Sequence, residues 1–104
     1  MKKTPSPGNS ISIRLRYPNQ IGKFSEVTAA VASAGGSLGA INVVNSDRTH
    51  IVRDIVVDTI SEDHAESIVN AVKAVPQVEV QDVYDCTFKL HESGKLDVVS
   101  KSPL

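Results

Sequence analysis

The chain has 104 residues, of which 40% are hydrophobic, 22% charged and only 4% aromatic, with a formal net charge of −1. That length makes one domain with a real though shallow core, and the near-neutral charge gives no basic footprint for nucleic acid. No apolar run approaches a membrane span, and the single cysteine, Cys86, excludes an internal disulfide framework or a Cys-rich zinc cluster and points to a reducing cytoplasm.

Residues 1–9 carry two lysines with no apolar segment behind them, so they read as a flexible leader and not as a signal peptide. From Ser10 to Tyr17 the pattern alternates: Ile11, Ile13, Leu15 and Tyr17 on one face, Ser10, Ser12, Arg14 and Arg16 on the other. This period of two predicts a half-buried strand. Pro18 and Asn19 end it. From Phe24 the period changes, with Val27, Thr28 and Val31 recurring at helical spacing over Lys23 to Ala34. The glycine pair at 35 and 36 supplies a left-handed C-cap.

Ser37 to Asn45 reads as a second strand with a phase slip at Gly39 and Ala40, a candidate bulge. Asn45 to Arg48 is turn chemistry, and Thr49 to Asp58, rich in Ile and Val, is a third strand. Ser61 caps a second helix whose stripe is Ala65, Ile68, Val69 and Val72, and Val75-Pro76 stops it. Val78 to Tyr84 is a fourth strand with a slip between Val80 and Val83. The order βαββαβ over residues 10–86 predicts an α+β ferredoxin-like sandwich, a four-stranded antiparallel sheet with both helices on one face. Residues 87–104 read as a hairpin or linker without a natural stop, as if leading into a further region.

Catalytic chemistry is scarce. His50, His64 and His91 lack metal-ligand spacing and each reads as a surface histidine; no metal site is expected. Cys86 has no basic neighbour to activate it and reads as structural. The glycine-rich run at 35–39 follows a helix and precedes a strand, the reverse of a phosphate-binding loop. Two features stand out instead. The turn at Asn19, Gln20, Ile21, Gly22, Lys23 and Phe24 places a residue without Cβ and the N–H groups of a helix start together, a site suited to a carboxylate. Arg53 shares the inward phase of Ile55 and Val57, so it either reaches an anion held at that turn or snorkels or pairs with Asp47 or Asp54.

A βαββαβ pattern with Asn19, Gly22 and apolar Phe24 in the turn after the first strand resembles an ACT domain, the small-molecule sensing module of many metabolic enzymes. The resemblance spans Ile11 to about Asp85. It implies an effector, an amino acid or other carboxylate, bound at the turn of Asn19 to Phe24, to which the strand phase adds Arg53 from below. One position departs: Leu38 stands near the start of strand two, where many amino-acid-binding members carry asparagine. The stretches Val52-Arg53-Asp54-Ile55 and Gly94 to Leu104 are similar to the N-terminal region of ACT-containing malic enzymes. In that family the domain precedes a catalytic part that uses NAD(P) and a divalent metal; this chain would itself hold no cofactor and no active site.

The topology leaves strand two at a sheet edge, apolar and poor in protective lysines. Pairing with a second copy through Leu38, Ala40, Asn42 and Val44 would hide it in a homodimer. A ligand-free dimerisation module is the second reading. A third, a small acylphosphatase-like hydrolase, would need arginine in the turn, where Lys23 is the only cation.

Overall fold

A computed structural model of the chain describes residues 5–86. The elements follow the order β1 (Ser6–Pro18), α1 (Lys23–Ser33), β2 (Ser37–Ser46), β3 (His50–Thr59), α2 (Glu62–Lys73) and β4 (Glu79–Asp85). All strands are antiparallel neighbours in one sheet ordered β2-β3-β1-β4, with β2 and β4 at the edges. This is the expected ferredoxin-like sandwich.

The alternation in β1 does what its chemistry dictates. Ile11, Ile13, Leu15 and Tyr17 are buried with Ile55 and Val57 of β3, Val27 and Val31 of α1, and Ile68 and Val72 of α2. Each such side chain, fully buried, contributes about 1.5–3 kcal/mol of transfer free energy. On the other face Arg14 makes a two-pronged contact with Asp54, Nε to Oδ1 at 2.8 Å and Nη2 to Oδ2 at 2.9 Å. That pairing lifts the Arg14 guanidinium above its ordinary pKa.

Both expected slips are bulges. The β2–β3 register shifts between Leu38 and Ile41, which leaves Gly39 and Ala40 unpaired, and shifts again between Val43 and Asn45. On β4, Asp82 and Val80 face successive residues of β1, so Gln81 is the extra residue. Strand β1 begins at Ser6, earlier than the alternation shows, because Ser6 pairs with Thr59 across a register shift. The Thr59 hydroxyl secures that end by donating to the Asn9 carbonyl at 2.9 Å.

Helix α1 ends in a Schellman arrangement. Gly35, with φ +85°, donates to Ala32 O and Gly36 donates to Val31 O. Helix α2 begins at Ser61, whose hydroxyl accepts the His64 N–H at 3.2 Å. One correction arises here. His64, expected at the surface, is half-buried and joins three elements: its Nδ1 accepts the Ile60 N–H at 2.9 Å, and its Nε2 meets the Ala34 carbonyl at 2.8 Å. Since Nδ1 accepts, Nε2 carries the proton and donates. The cause is tertiary: the last carbonyl of α1 needs a donor, and the start of α2 lies beside it. His91 and the 87–104 segment lie outside the described residues.

Candidate functional site

The turn between β1 and α1 is built by backbone needs. Asn19 N–H donates to Thr49 O at 2.9 Å, Gln20 N–H to Pro18 O at 2.8 Å, and Lys23 N–H to Gln20 O at 3.2 Å. Gly22 sits at the N-cap of α1 with φ 88° and ψ −12°, a left-handed conformation natural to glycine, and supplies no side-chain cap. A Cβ placed there would meet nothing within 4 Å, so the turn is open to approach. The N–H of Lys23 is used by the turn itself, which leaves those of Gly22, Phe24 and Ser25 as the donors of the helix start. Ile21 is wholly exposed at the tip.

Two expected ligand side chains are engaged elsewhere. The Asn19 amide donates from Nδ2 to Asp47 O at 3.0 Å and so ties this turn to the β2–β3 turn. Lys23 is not a cation presented to the turn: it is buried, and its Nζ donates to Pro76 O at 3.0 Å and to Glu26 Oε1 at 3.1 Å. A buried ammonium needs such partners, and the carbonyl of Pro76 after α2 is within its reach.

Arg53 lies where the strand phase placed it. Its neighbours across the sheet are Leu15 on β1 and Val43 on β2, so its side chain rises on the helix face below the turn. The guanidinium carbon stands 4.4 Å from the centroid of the Phe24 ring, and Phe24 in turn stacks on Tyr17 with centroids 6.0 Å apart. A cation over an aromatic face is attracted by the ring quadrupole. Neither alternative partner takes the charge. Asp54 is held by Arg14 on the opposite face, and Asp47 Oδ1 accepts from Thr49 N, His50 N and Thr49 Oγ1. Those bonds hold the Asp47 carboxyl below its usual pKa. Among the described residues no ion pair includes Arg53, and Arg53 Nε and the Tyr17 hydroxyl are buried atoms without a hydrogen-bond partner. Burial pushes the Tyr17 phenol up, and the nearby Arg53 charge draws it partly back. The Tyr17 hydroxyl escaped sequence reasoning, since alternation marks Tyr17 only as core.

The uncovered edge adjoins this corner. Of the residues expected at a dimer contact, Ala40, Asn42 and Val44 are exposed, whereas Leu38 packs partly against the core. The two bulges change which side chains project, so Ile41 and Val43 also stand exposed, on the helix face but beyond the cover of the helices. Strand β4, the other edge, instead exposes Glu79, Gln81 and Asp85. Cys86 is half-buried at the end of β4 and its N–H donates to Ser10 O; burial and Asp85 raise its thiol pKa, so it is held as the unreactive thiol.

These features define a domain with the ACT fold, as the solved structures show. The ACT domain of a GTP pyrophosphokinase from Chlorobium tepidum matches with a TM-score of 0.58 at 13% identity, over 73% of this chain and 95% of that one. The regulatory subunit of aspartate kinase from Thermus thermophilus matches with a TM-score of 0.55 at 17% identity, over 75% and 55%. In sequence the chain is similar to NAD-dependent malic enzymes. It is 37% identical over 95 residues to that of Geobacillus stearothermophilus, covering 91% of this chain and 20% of the relative. It is 26% identical to NAD-dependent malic enzyme 1 of Bacillus subtilis, covering 89% and 21%. The chain thus spans about one fifth of the length of the curated relatives it matches. No family model matches it.

Proposed function

We propose that this chain is the regulatory, small-molecule-binding domain of an NAD-dependent malic enzyme. Supporting this are the ACT fold and an identity of 37% to a malic enzyme across 91% of the chain. On this reading residues 87–104 join the domain to a catalytic region, in the cytoplasm, where the oxidative decarboxylation of malate takes place. NAD(P) and a divalent metal belong to that region; no catalytic step is assigned to residues 5–86.

The observation that carries the regulatory reading is a convergence at one corner. The open Gly22 turn, the unpaired charge of Arg53 and the apolar edge of β2 lie together. A small carboxylate held there meets helix-start N–H groups and a cation. Edge pairing of β2 with that of a second copy closes the pocket and removes an exposed ladder. The ligand-free dimerisation module is favoured by a different fact, the internal engagement of Asn19 and Lys23. The hydrolase reading loses its only turn cation, since Lys23 points to Pro76.

Light scattering on the 104-residue chain, with a thermal-shift screen of amino acids, carboxylates and nucleotides, tests the proposal. A ligand that binds only the folded state raises the melting point by mass action. A dimer stabilised by at least one compound supports the reading; a dimer that none stabilises supports the structural module, and a clean monomer counts against both. Gly22→Val is not a neutral steric probe, because φ is +88° at that position; Asn19→Ala is usable and is expected to weaken binding by loosening the turn it ties to Asp47.

A further inference from the structure

We propose that Arg53 and the Tyr17 hydroxyl are the specificity-determining pair of this corner, and that they take a monocarboxylate with an apolar body. The inference rests on the reading of the corner as an effector site and assigns its recognition chemistry.

Four observations carry it. First, Tyr17 is 2% exposed and its hydroxyl has no partner, and Arg53 Nε is likewise buried and unpartnered. Buried donors left unpaired cost the fold free energy. Two of them on residues that flank one ring, that of Phe24, therefore point to a missing acceptor. Second, they belong together: Tyr17 lies opposite Ile51 in the ladder, two residues from Arg53 on the same face, and the Phe24 ring lies between them, its centroid 6.0 Å from that of Tyr17 and 4.4 Å from the guanidinium carbon. An oxygen anion accepting from a guanidinium and a phenol would satisfy both at once.

Third, the charge count selects one carboxylate and no ammonium. Arg53 is the cation that stands against Phe24 and lies outside any ion pair among the described residues, while Lys23 is bound to Glu26 and Pro76; Arg48, also outside any ion pair, belongs to the exposed β2–β3 turn. Asp54 gives both oxygens to Arg14 on the opposite face, and Asp47 commits Oδ1 to three donors of its own turn; among the described residues neither carboxylate is paired with Arg53, the position from which it would hold a ligand ammonium. Fourth, the surroundings are apolar. Val43 lies directly opposite Arg53 and Ile41 opposite Ile55, and both side chains are exposed on the helix face. A hydrocarbon body seated there would bury them beside the charged pole.

The test uses the 104-residue chain, isovalerate as the probe, its neutral isostere isovaleramide as the matched control, and leucine as the zwitterion. Nitrogen-15 NMR reads the Arg53 Nε–H resonance and the amides of Gly22 and Phe24. Isovalerate is expected to move all three, isovaleramide none, and leucine to bind more weakly than isovalerate. Arg53→Met and Tyr17→Phe are each expected to weaken isovalerate binding by about tenfold. Without ligand Tyr17→Phe should unfold at the same midpoint as the parent chain or higher, because it removes only an unpaired donor, whereas Arg53→Met also gives up the cation contact with Phe24. A merely structural role for the Tyr17 hydroxyl would lower the Tyr17→Phe midpoint instead. An Arg53 resonance that stays fixed at tens of millimolar isovalerate overturns the proposal, as does equal binding of isovaleramide or undiminished binding by Arg53→Met. If the Gly22 and Phe24 amides then move with another compound of the screen, the effector site stands and only its assigned chemistry falls.

Discussion

Gly36 is the position where one added methyl group should do most harm. A Cβ there would stand 2.8 Å from Ile68 Cδ1, 2.8 Å from Val57 Cγ1 and 3.1 Å from Val31 Cγ1. Carbon atoms in good contact are about 3.5–4.0 Å apart, so the methyl would lie about 0.7 Å too close to two of them. The three neighbours are fully buried and come from α2, β3 and α1, so relief requires moving one layer off the other. Overpacking of this kind costs about 1–3 kcal/mol, or a melting-point drop of about 4–8 °C for each kcal/mol in a domain of this size. Urea unfolding of Gly36→Ala followed by circular dichroism, with an unchanged slope, measures it. The control is Gly22→Ala, where a Cβ meets nothing within 4 Å and the cost is only the left-handed strain, about 1–2 kcal/mol. Ile68→Val removes the Cδ1 atom in the way, so the double variant should lose less than the two single losses added together. If Gly36→Ala unfolds at the parent midpoint, or the cycle shows no coupling, the packing of the two helices over β3 is wrong.

Three further outcomes are expected. Val72→Ala, at a fully buried position of α2, should cost about 1–3 kcal/mol in the same assay, and an unchanged midpoint would deny that α2 packs through this face. His64→Leu strands the Ile60 N–H and the Ala34 carbonyl and should cost about 1–3 kcal/mol, with faster hydrogen exchange at Ile60; parent-like exchange would show that the imidazole bridge is not made. Cys86 should alkylate more slowly than a free model thiol at neutral pH, its rate rising only as the pH climbs past the ordinary thiol range, because its pKa is raised; a rate at neutral pH equal to the free thiol would contradict its burial.

Local pattern alone determined the elements and their order. The period of two in β1, the period near four in both helices and the glycine pair after α1 are properties of adjacent residues, and each survives folding because the buried face is chosen by which side chains are apolar. The bulge at 39–40 and a slip between Val80 and Val83 were legible, since an extra residue breaks the alternation where it stands, but the second shift of β2, between Val43 and Asn45, was not. Arg53 was placed on the inward face by the same phase. What a side chain bonds to was not legible in this way. Lys23 turns to a carbonyl 53 positions away, His64 to one 30 positions away, and Asn19 to one 28 positions away. The left-handed φ of Gly22, like these partners, is set by how the strand end and the helix start must meet in space. Hydrogen bonds are short and directional, so their pairing depends on the final approach of distant segments; burial depends mainly on polarity, which the chain carries locally. The empty pairing of the Tyr17 hydroxyl belongs to the same class: alternation says that Tyr17 goes inside, and only the packed structure decides that its oxygen finds no partner there.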